Sequence, residues 1–413
     1  MIGKRSLSLK LIFCVIFLSF IIETIVNFFA DRDVIILFQT FISLFAVGFF
    51  FGVNKVSSNK SIFIYIILIS ALLFFLGLFS SNIVRSYNFI FKFITPFLYL
   101  LVGFSLVKNG FDLISLISKL WLFLLYFVLY VLSANIFNYG ESFYEGALIS
   151  VGYMNINATY VPVVIILVVL FLNKHVPRKF DRNMNLFLSV IVCGIIILML
   201  KRTLILMIIL GILFYLFRNF SLVKVVKFSF FLFIFGLLIL SNFSDYLRSS
   251  FEARQSRFSE DYSLTEEGRF IENFVVYNYF AESPEFILFG TGEVFNDLEY
   301  MYDYFRIERN LHNSFIRLIW SSGVIGVLIF LLFYFKQYSL IRYHLKMQYN
   351  RNFYSDVFYF GCVLVLLRFV NDFSSGITYI SYNILSYLII GSIIALGYSK
   401  TPLEPRSSSK IYL

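Results

Sequence analysis

Long apolar runs separated by short polar breaks make up almost the whole chain. The runs fall near residues 11–29, 34–52, 61–79, 88–107, 113–133, 155–172, 185–200, 203–217, 223–241, 313–335, 354–371 and 377–397, with little or no charge inside them. Most approach the roughly 20 residues that carry a helix across about 30 Å of hydrocarbon. The runs do not alternate polar with apolar, as the strands of a membrane β-barrel would. The pattern therefore predicts an all-α, polytopic integral membrane protein of about 12 transmembrane helices. One boundary needs an argument. Residues 185–217 are almost continuously apolar, interrupted only by Lys201 and Arg202. A single helix there would overrun the bilayer and invert everything downstream, so the pattern predicts two helices joined by a short turn. The first run follows a short basic stretch, as in a signal peptide, but it is too long and lacks a small-residue cleavage site. It is expected to remain as the first helix.

Composition sharpens this picture. The chain is 60% hydrophobic and 14% charged, against about 25% charged for soluble domains, which excludes a soluble fold. A net charge of +10 would suggest nucleic acid in a soluble protein; here membrane orientation accounts for it, and no nucleic acid is expected. With the amino terminus inside, Lys4, Arg5, Lys55, Lys60, Lys108, the cluster from Lys174 to Arg182, Arg218, Lys224, the segment from Lys336 to Arg351 and the tail all fall on the cytoplasmic side. The short outer loops keep only Arg32, Arg85, Lys201 and Arg202. This is the distribution of basic residues that sets topology in a bacterial inner membrane, with both termini cytoplasmic. Residues 1–240 then hold helices one to nine, 241–312 form one large periplasmic loop, 313–397 hold helices ten to twelve, and 398–413 are a cytoplasmic tail. Cys14, Cys193 and Cys362 all lie in apolar runs and offer neither a disulfide nor a metal-ligand spacing.

The large loop carries fourteen acidic side chains and six arginines but no lysine. Ser263-Leu-Thr-Glu266 has the form of a capping box, and Phe270, Phe274, Tyr277 and Ala281 then recur at helical spacing. Ser283-Pro284 should end that surface helix, and Gly290-Thr-Gly292 should form a tight turn. Tyr300, Tyr302, Tyr304 and Phe305 follow; an interfacial aromatic belt explains them as well as sugar stacking does.

Few residues are suited to chemistry. Of three histidines, His175 and His344 are cytoplasmic on this topology, so substituting His344 should be harmless. His312 alone sits at the outer face. A lone histidine at a helix entrance is more often a packing residue, and its neighbours must make the case for more. Arg202 and Arg85 place positive charge on the side that the orientation rule disfavours; either they snorkel and pair with loop carboxylates, or they bind an anion. Arg254, Arg257 and Arg269 add guanidiniums suited to bidentate phosphate binding. Arg317 and Arg368 lie within apolar runs, where ionisable groups usually face an interior. For Arg368 and Asp372, four residues apart, a local ion pair is the expected reading. Glu266 and Glu267 are adjacent on one helix and point about 100° apart, so they cannot flank a single bond.

Four segments, taken in order, resemble the O-antigen polymerase and ligase family. The run from Leu311-His-Asn-Ser-Phe-Ile-Arg through Ser-Ser-Gly323 to Gly326 is similar to the signature that enters a late helix in that family. Gly152-Tyr-Met-Asn-Ile-Asn157 resembles its Asn-x-Asn entrance to a middle helix. Lys201-Arg202-Thr203 resembles its Ser-Arg-Thr turn, with lysine in place of serine. Arg269 through Gly290-Thr-Gly292 resembles the arginine-helix-glycine run of its large loop. The match covers roughly residues 150–335. The resemblance implies a GT-C-like helical fold and a metal-independent, cofactor-free glycosyl transfer at the periplasmic face. The implied donor is an undecaprenyl-diphosphate-linked oligosaccharide. His312 would be the general base, with Arg202, Arg269, Arg85 and Arg254 on the diphosphate and Asn157, Asn313 and Arg317 in support. Membrane lipid, a chain-length regulator and a flippase are the implied partners. A polymerase is favoured over a ligase that transfers glycan to lipid A core. A lipid-linked oligosaccharide flippase is the rival from another class, although it would place its polar groups at mid-membrane between related halves.

Overall fold

Each polar break in the apolar pattern ends one helix and starts the next. A computed structural model describes residues 2–29, 32–139, 149–199, 201–221, 223, 268–293, 311, 313–347, 353–374 and 380–398. The helices are α1 Ile2–Ile25, α2 Arg32–Val53, α3 Lys60–Gly77, α4 Ile83–Lys108, α5 Leu113–Ile117, α6 Trp121–Ile136, α7 Tyr160–Leu172, α8 Lys179–Leu198 and α9 Arg202–Asn219. They continue with α10 Gly268–Glu282, α11 Phe286–Phe289, α12 Ser314–Lys346, α13 Phe353–Ser374 and α14 Ile380–Gly397. Among the described residues there is no strand, and eleven helical spans, one of them α5 with α6, are long and apolar enough to cross a membrane. The protein is a multi-pass, all-helical membrane protein. The expected span at 223–241, the capping box at 263–266 and the tyrosine-rich stretch at 298–309 lie outside the described residues. The apolar stretch 185–217 is indeed two helices, α8 and α9, with Lys201 in extended backbone at φ −80°, ψ 103° just before α9.

The helices form two compact units, Met1–Leu116 with Ile271–Leu413, and Ile117–Phe270. At the centre of the first, α4 and α14 are buried along nearly their whole length. A β-carbon on Gly103 would overlap the Leu388 carbonyl, and one on Gly391 the Leu100 carbonyl. The absence of side chains at these two positions lets the backbones touch. In lipid, where tails are as apolar as leucine, such close packing takes over the role that hydrophobic burial plays in water. Ser392 Oγ then donates to the Gly103 carbonyl at 3.2 Å.

The start of α14 is capped from another helix. Glu23, near the end of α1, accepts from the Ser381 amide at 3.0 Å and from the Ser381 hydroxyl, while Gln39 of α2 donates to it at 3.2 Å. First-turn amides have no partner within their own helix. A carboxylate placed there satisfies them and complements the positive end of the helix dipole. In the second unit, α7 packs on both α8 and α9, and α8 is tied to α6 by the Trp121 indole donating to Asp181 at 3.2 Å.

The helix expected between 264 and 282 is present as α10, ending before Ser283, but its inward face differs from the expected one. Phe274, Tyr277 and Ala281 are exposed, whereas Val275, Val276 and Phe280 pack with Leu311 and Trp320. Spacing identified an amphipathic helix but not which stripe turned inward, since both stripes are apolar.

Candidate functional site

In the first unit the candidate residues gather where α4 and α12 begin. Asn313 caps α12, its side-chain oxygen accepting from the amides of Phe315 at 2.9 Å and Ile316 at 3.3 Å. Asn82 does the same for α4, accepting from the Arg85 amide at 3.0 Å. Arg85 is half-buried in the first turn of α4. Phe89 and Lys92 follow it at i+4 and i+7, on the same helical face. Lys92 is 4% exposed and lies 4.7 Å from the centre of the Phe89 ring; Arg317, from the first turn of α12, is 7% exposed and lies 5.4 Å from the same ring. Two buried cations thus meet the negative face of one aromatic ring, with a third, half-buried cation a turn above on α4. Lys92 was missed by sequence reasoning because it stands alone in an apolar run. The spacing of Arg85, Phe89 and Lys92 was the available signal.

A backbone junction holds α12 in place. The helix kinks at Gly323, whose φ of 61° and ψ of −163° interrupt it. The Gly290-Thr-Gly292 turn fits into the kink: Gly290 has φ 74° and ψ −173°, and a β-carbon there would come within 2.5 Å of the Ser322 nitrogen and 2.6 Å of the Gly323 nitrogen. The Trp320 carbonyl, next to the kink, accepts from the Thr291 amide at 2.8 Å and the Thr291 hydroxyl at 3.0 Å. Ser321 and Ser322 donate to the carbonyls of Arg317 and Leu318, four residues back, each at 2.8 Å. Glu293 then ties this turn to the α3–α4 connection, accepting from Ser80 Oγ at 2.7 Å and the Ser81 amide at 2.8 Å. The segments expected to form a tight turn and a helix entrance are therefore one interlocked structure.

The second unit brings together its own two candidate segments. Asn157 lies half-buried in the short 3-10 turn Ile156–Thr159 that leads into α7, its amide donating to Asn155 Oδ1 at 3.0 Å. Tyr160 and Thr203 share a hydroxyl hydrogen bond at 2.9 Å. Lys201 is buried, with Nζ 4.1 Å from the centre of the Tyr160 ring and 3.5 Å from Thr159 Oγ1. Burial holds its ammonium well below the ordinary lysine range. Arg202, the first residue of α9, is exposed.

His312 and Arg254 lie outside the described residues, and Arg269 is described only as the second residue of α10. The expectation that substituting His344 is harmless does not fit its surroundings. The imidazole is buried, stacks on Phe358 with ring centres 5.6 Å apart, and meets the Tyr398 ring edge-on at 4.9 Å. Its substitution would open a cavity, so it is a poor neutral control. Among the described residues no three histidine, cysteine, aspartate or glutamate side chains are grouped to hold a metal ion. Neither a protein-family model nor a curated protein matches the chain.

Proposed function

We propose that the protein is an O-antigen-type polymerase of the inner membrane, transferring a glycan from an undecaprenyl diphosphate to a hydroxyl of another lipid-linked repeat unit at the periplasmic face. One observation carries the reading. Three helices that start on the expected outer side, α4, α9 and α12, each hold an arginine in the first turn, Arg85, Arg202 and Arg317, and none has an acidic residue there. A cation at a helix amino terminus opposes the dipole, and each placement costs roughly 0.3–1 kcal/mol where an acid would gain as much. On the outer face it also opposes the rule that concentrates basic residues inside. An anionic ligand reverses the sign of both terms, because helix amino termini and guanidiniums together suit phosphate oxygens.

The chemistry follows from the leaving group. A departing polyprenyl diphosphate needs little protonation when its growing charge is neutralised by fixed cations. Within the first unit Arg85, Arg317 and Lys92 would supply such a field; the resemblance assigns the same role to Arg202, Arg254 and Arg269. His312 would take the proton of the acceptor hydroxyl as it attacks the anomeric carbon, a role suited to an imidazole. Asn313 would contribute by fixing where α12 begins.

The test is the polysaccharide ladder of cells lacking the gene, complemented with wild type, Arg202→Ala, Arg317→Gln, His312→Ala or Lys346→Ala. Lys346 is exposed at the opposite end of α12 and should leave the ladder intact. Core carrying a single repeat in the first three variants supports a polymerase. Uncapped core with long polymer retained on the lipid carrier means a ligase, and single units retained on the cytoplasmic leaflet mean a flippase. A normal ladder in the deletion strain itself would refute the proposal.

A further inference from the structure

The first unit holds a polar cluster that the proposed transfer does not use. Arg368 and Asp372 of α13 are buried to 1% and 0% exposure and lie 3.8 Å apart as an i, i+4 pair. Tyr334 of α12 donates to Asp372 Oδ2 and accepts from Arg368 Nε at 3.4 Å. The Arg368 guanidinium lies 3.7 Å from the centre of the Tyr387 ring and 5.6 Å from that of Tyr382, both on α14. Yet the pairing is incomplete. Arg368 Nη1 and Asp372 Oδ1 are fully buried and have no hydrogen-bonding partner among the described residues, and the buried Tyr387 hydroxyl lies beside Tyr334. Above the cluster, Phe315 packs on Phe369 and Phe373, and Phe369 packs on Tyr334.

We propose that the cluster of Arg368, Asp372, Tyr334 and Tyr387 is an internal binding site for a small neutral hydroxyl ligand, namely water, held within the membrane-spanning part of the protein. Three arguments select that ligand. The unmade bonds are one donor on Arg368 and one acceptor on Asp372; a water molecule can accept from the first and donate to the second, with a further bond left for a neighbouring hydroxyl. The pair is neutral overall, so a phosphate would be opposed by Asp372 and a metal cation by Arg368. Finally, leaving a buried charged group short of its hydrogen bonds is far more costly than immobilising one water molecule, and buried waters typically make about three such bonds.

Hydroxyl-radical footprinting of the full-length protein in lipid nanodiscs, with water itself as the probe, tests this, because bound water makes radicals beside otherwise inaccessible side chains. Tyr99 is the internal reference: it is equally buried, but its hydroxyl already donates to the Ser43 carbonyl at 3.3 Å. The expected result is labelling of Tyr387 and Tyr334 several-fold above that of Tyr99. Labelling at the Tyr99 level would overturn the proposal. The triple variant Arg368→Met, Asp372→Leu and Tyr334→Phe removes both charges and the hydroxyl that bonds to them, and so leaves none of the three stranded. In that variant Tyr387 labelling should fall to the Tyr99 level with the melting profile retained. Undiminished labelling would show access from bulk solvent instead of a bound water, and would equally overturn it.

Discussion

Replacing Gly290 with alanine tests whether the turn at 290–292 supports the kinked start of α12. Gly290 combines φ 74° with ψ −173°, a region that is essentially closed to other residues. Forcing alanine into it costs about 1–3 kcal/mol. The added methyl would lie 2.5 Å from the Ser322 nitrogen and 2.6 Å from the Ser321 carbonyl carbon, and backbone atoms cannot rotate aside as a side-chain tip can. The turn must therefore withdraw, breaking the two bonds from Thr291 to the Trp320 carbonyl, each contributing about 1 kcal/mol. The sum is roughly 3–5 kcal/mol, and at about 2–4 °C per kcal/mol the apparent midpoint should drop by on the order of 10 °C. Trp320 reports the same event optically. It is 3% exposed and packs on Tyr279 with ring centres 4.9 Å apart. In a Trp121→Phe background, where it is the sole tryptophan, its emission should shift to the red in Gly290→Ala. Gly48→Ala serves as the control, since nothing lies within 4 Å of a methyl at that position in α2. If the two variants melted together with unshifted emission, the junction would not be holding α12.

Two further perturbations separate polar contacts that stabilise the fold from those that strain it. Glu23→Leu should cost about 1–3 kcal/mol of stability, lowering the apparent midpoint, and speed hydrogen exchange at Ser381, because it strands the first-turn amides of α14 and the Gln39 amide, whereas Glu23→Gln, which keeps an acceptor oxygen, should lose less; hydrophobicity alone predicts that leucine in a membrane helix would stabilise. Lys201→Met should raise the midpoint of the second unit at neutral pH. Burial depresses the folded-state pKa of Lys201, so protonation at low pH penalises the folded state, and the Tyr160 ring and Thr159 hydroxyl return only part of that penalty. The advantage of methionine should therefore shrink as pH rises through the folded pKa toward the ordinary lysine value of about 10.4. A gap that stayed constant with pH in thermal melts would mean that Lys201 does not titrate there.

The spans were legible because a bilayer demands length and apolarity, and those are properties of one segment at a time. Their inward faces were not. Phe38, Phe41 and Phe45 of α2 are 58%, 59% and 71% exposed within the protein while Phe50 is 1% exposed, and lipid treats all four alike, so hydropathy carries no facing signal. The informative residues for packing were the small and polar ones that interrupt the runs. Gly103 and Gly391 mark where α4 and α14 touch, and Glu23, the one charged residue in the run 11–29, caps a helix more than 350 residues away in the chain. The i, i+4 pairing of Arg368 and Asp372 was readable from spacing alone; its tyrosine surroundings on α12 and α14 depend on how three helices meet, which no local pattern encodes.

The same division sorts the candidate residues. Asn313, Thr291 and Glu293 direct their polar atoms to backbone groups at a helix start, a kink and a turn, which is the work of holding a shape. Replacing any of them removes a structural bond, so loss of activity alone would say little about catalysis. Arg85 and Arg202 differ: Arg202 is exposed and Arg85 half-buried, both stand in a first turn, and a guanidinium has no acceptor with which to cap the amides there. Removing them should relieve a repulsion with the helix dipole and leave the fold as stable as before or slightly more so. Residues that weaken stability where they stand invite the question of what they bind. The decisive comparison is thus stability against activity at one position: Arg202→Ala that folds at least as well as wild type yet makes no polymer would assign the arginine to the ligand and not to the fold.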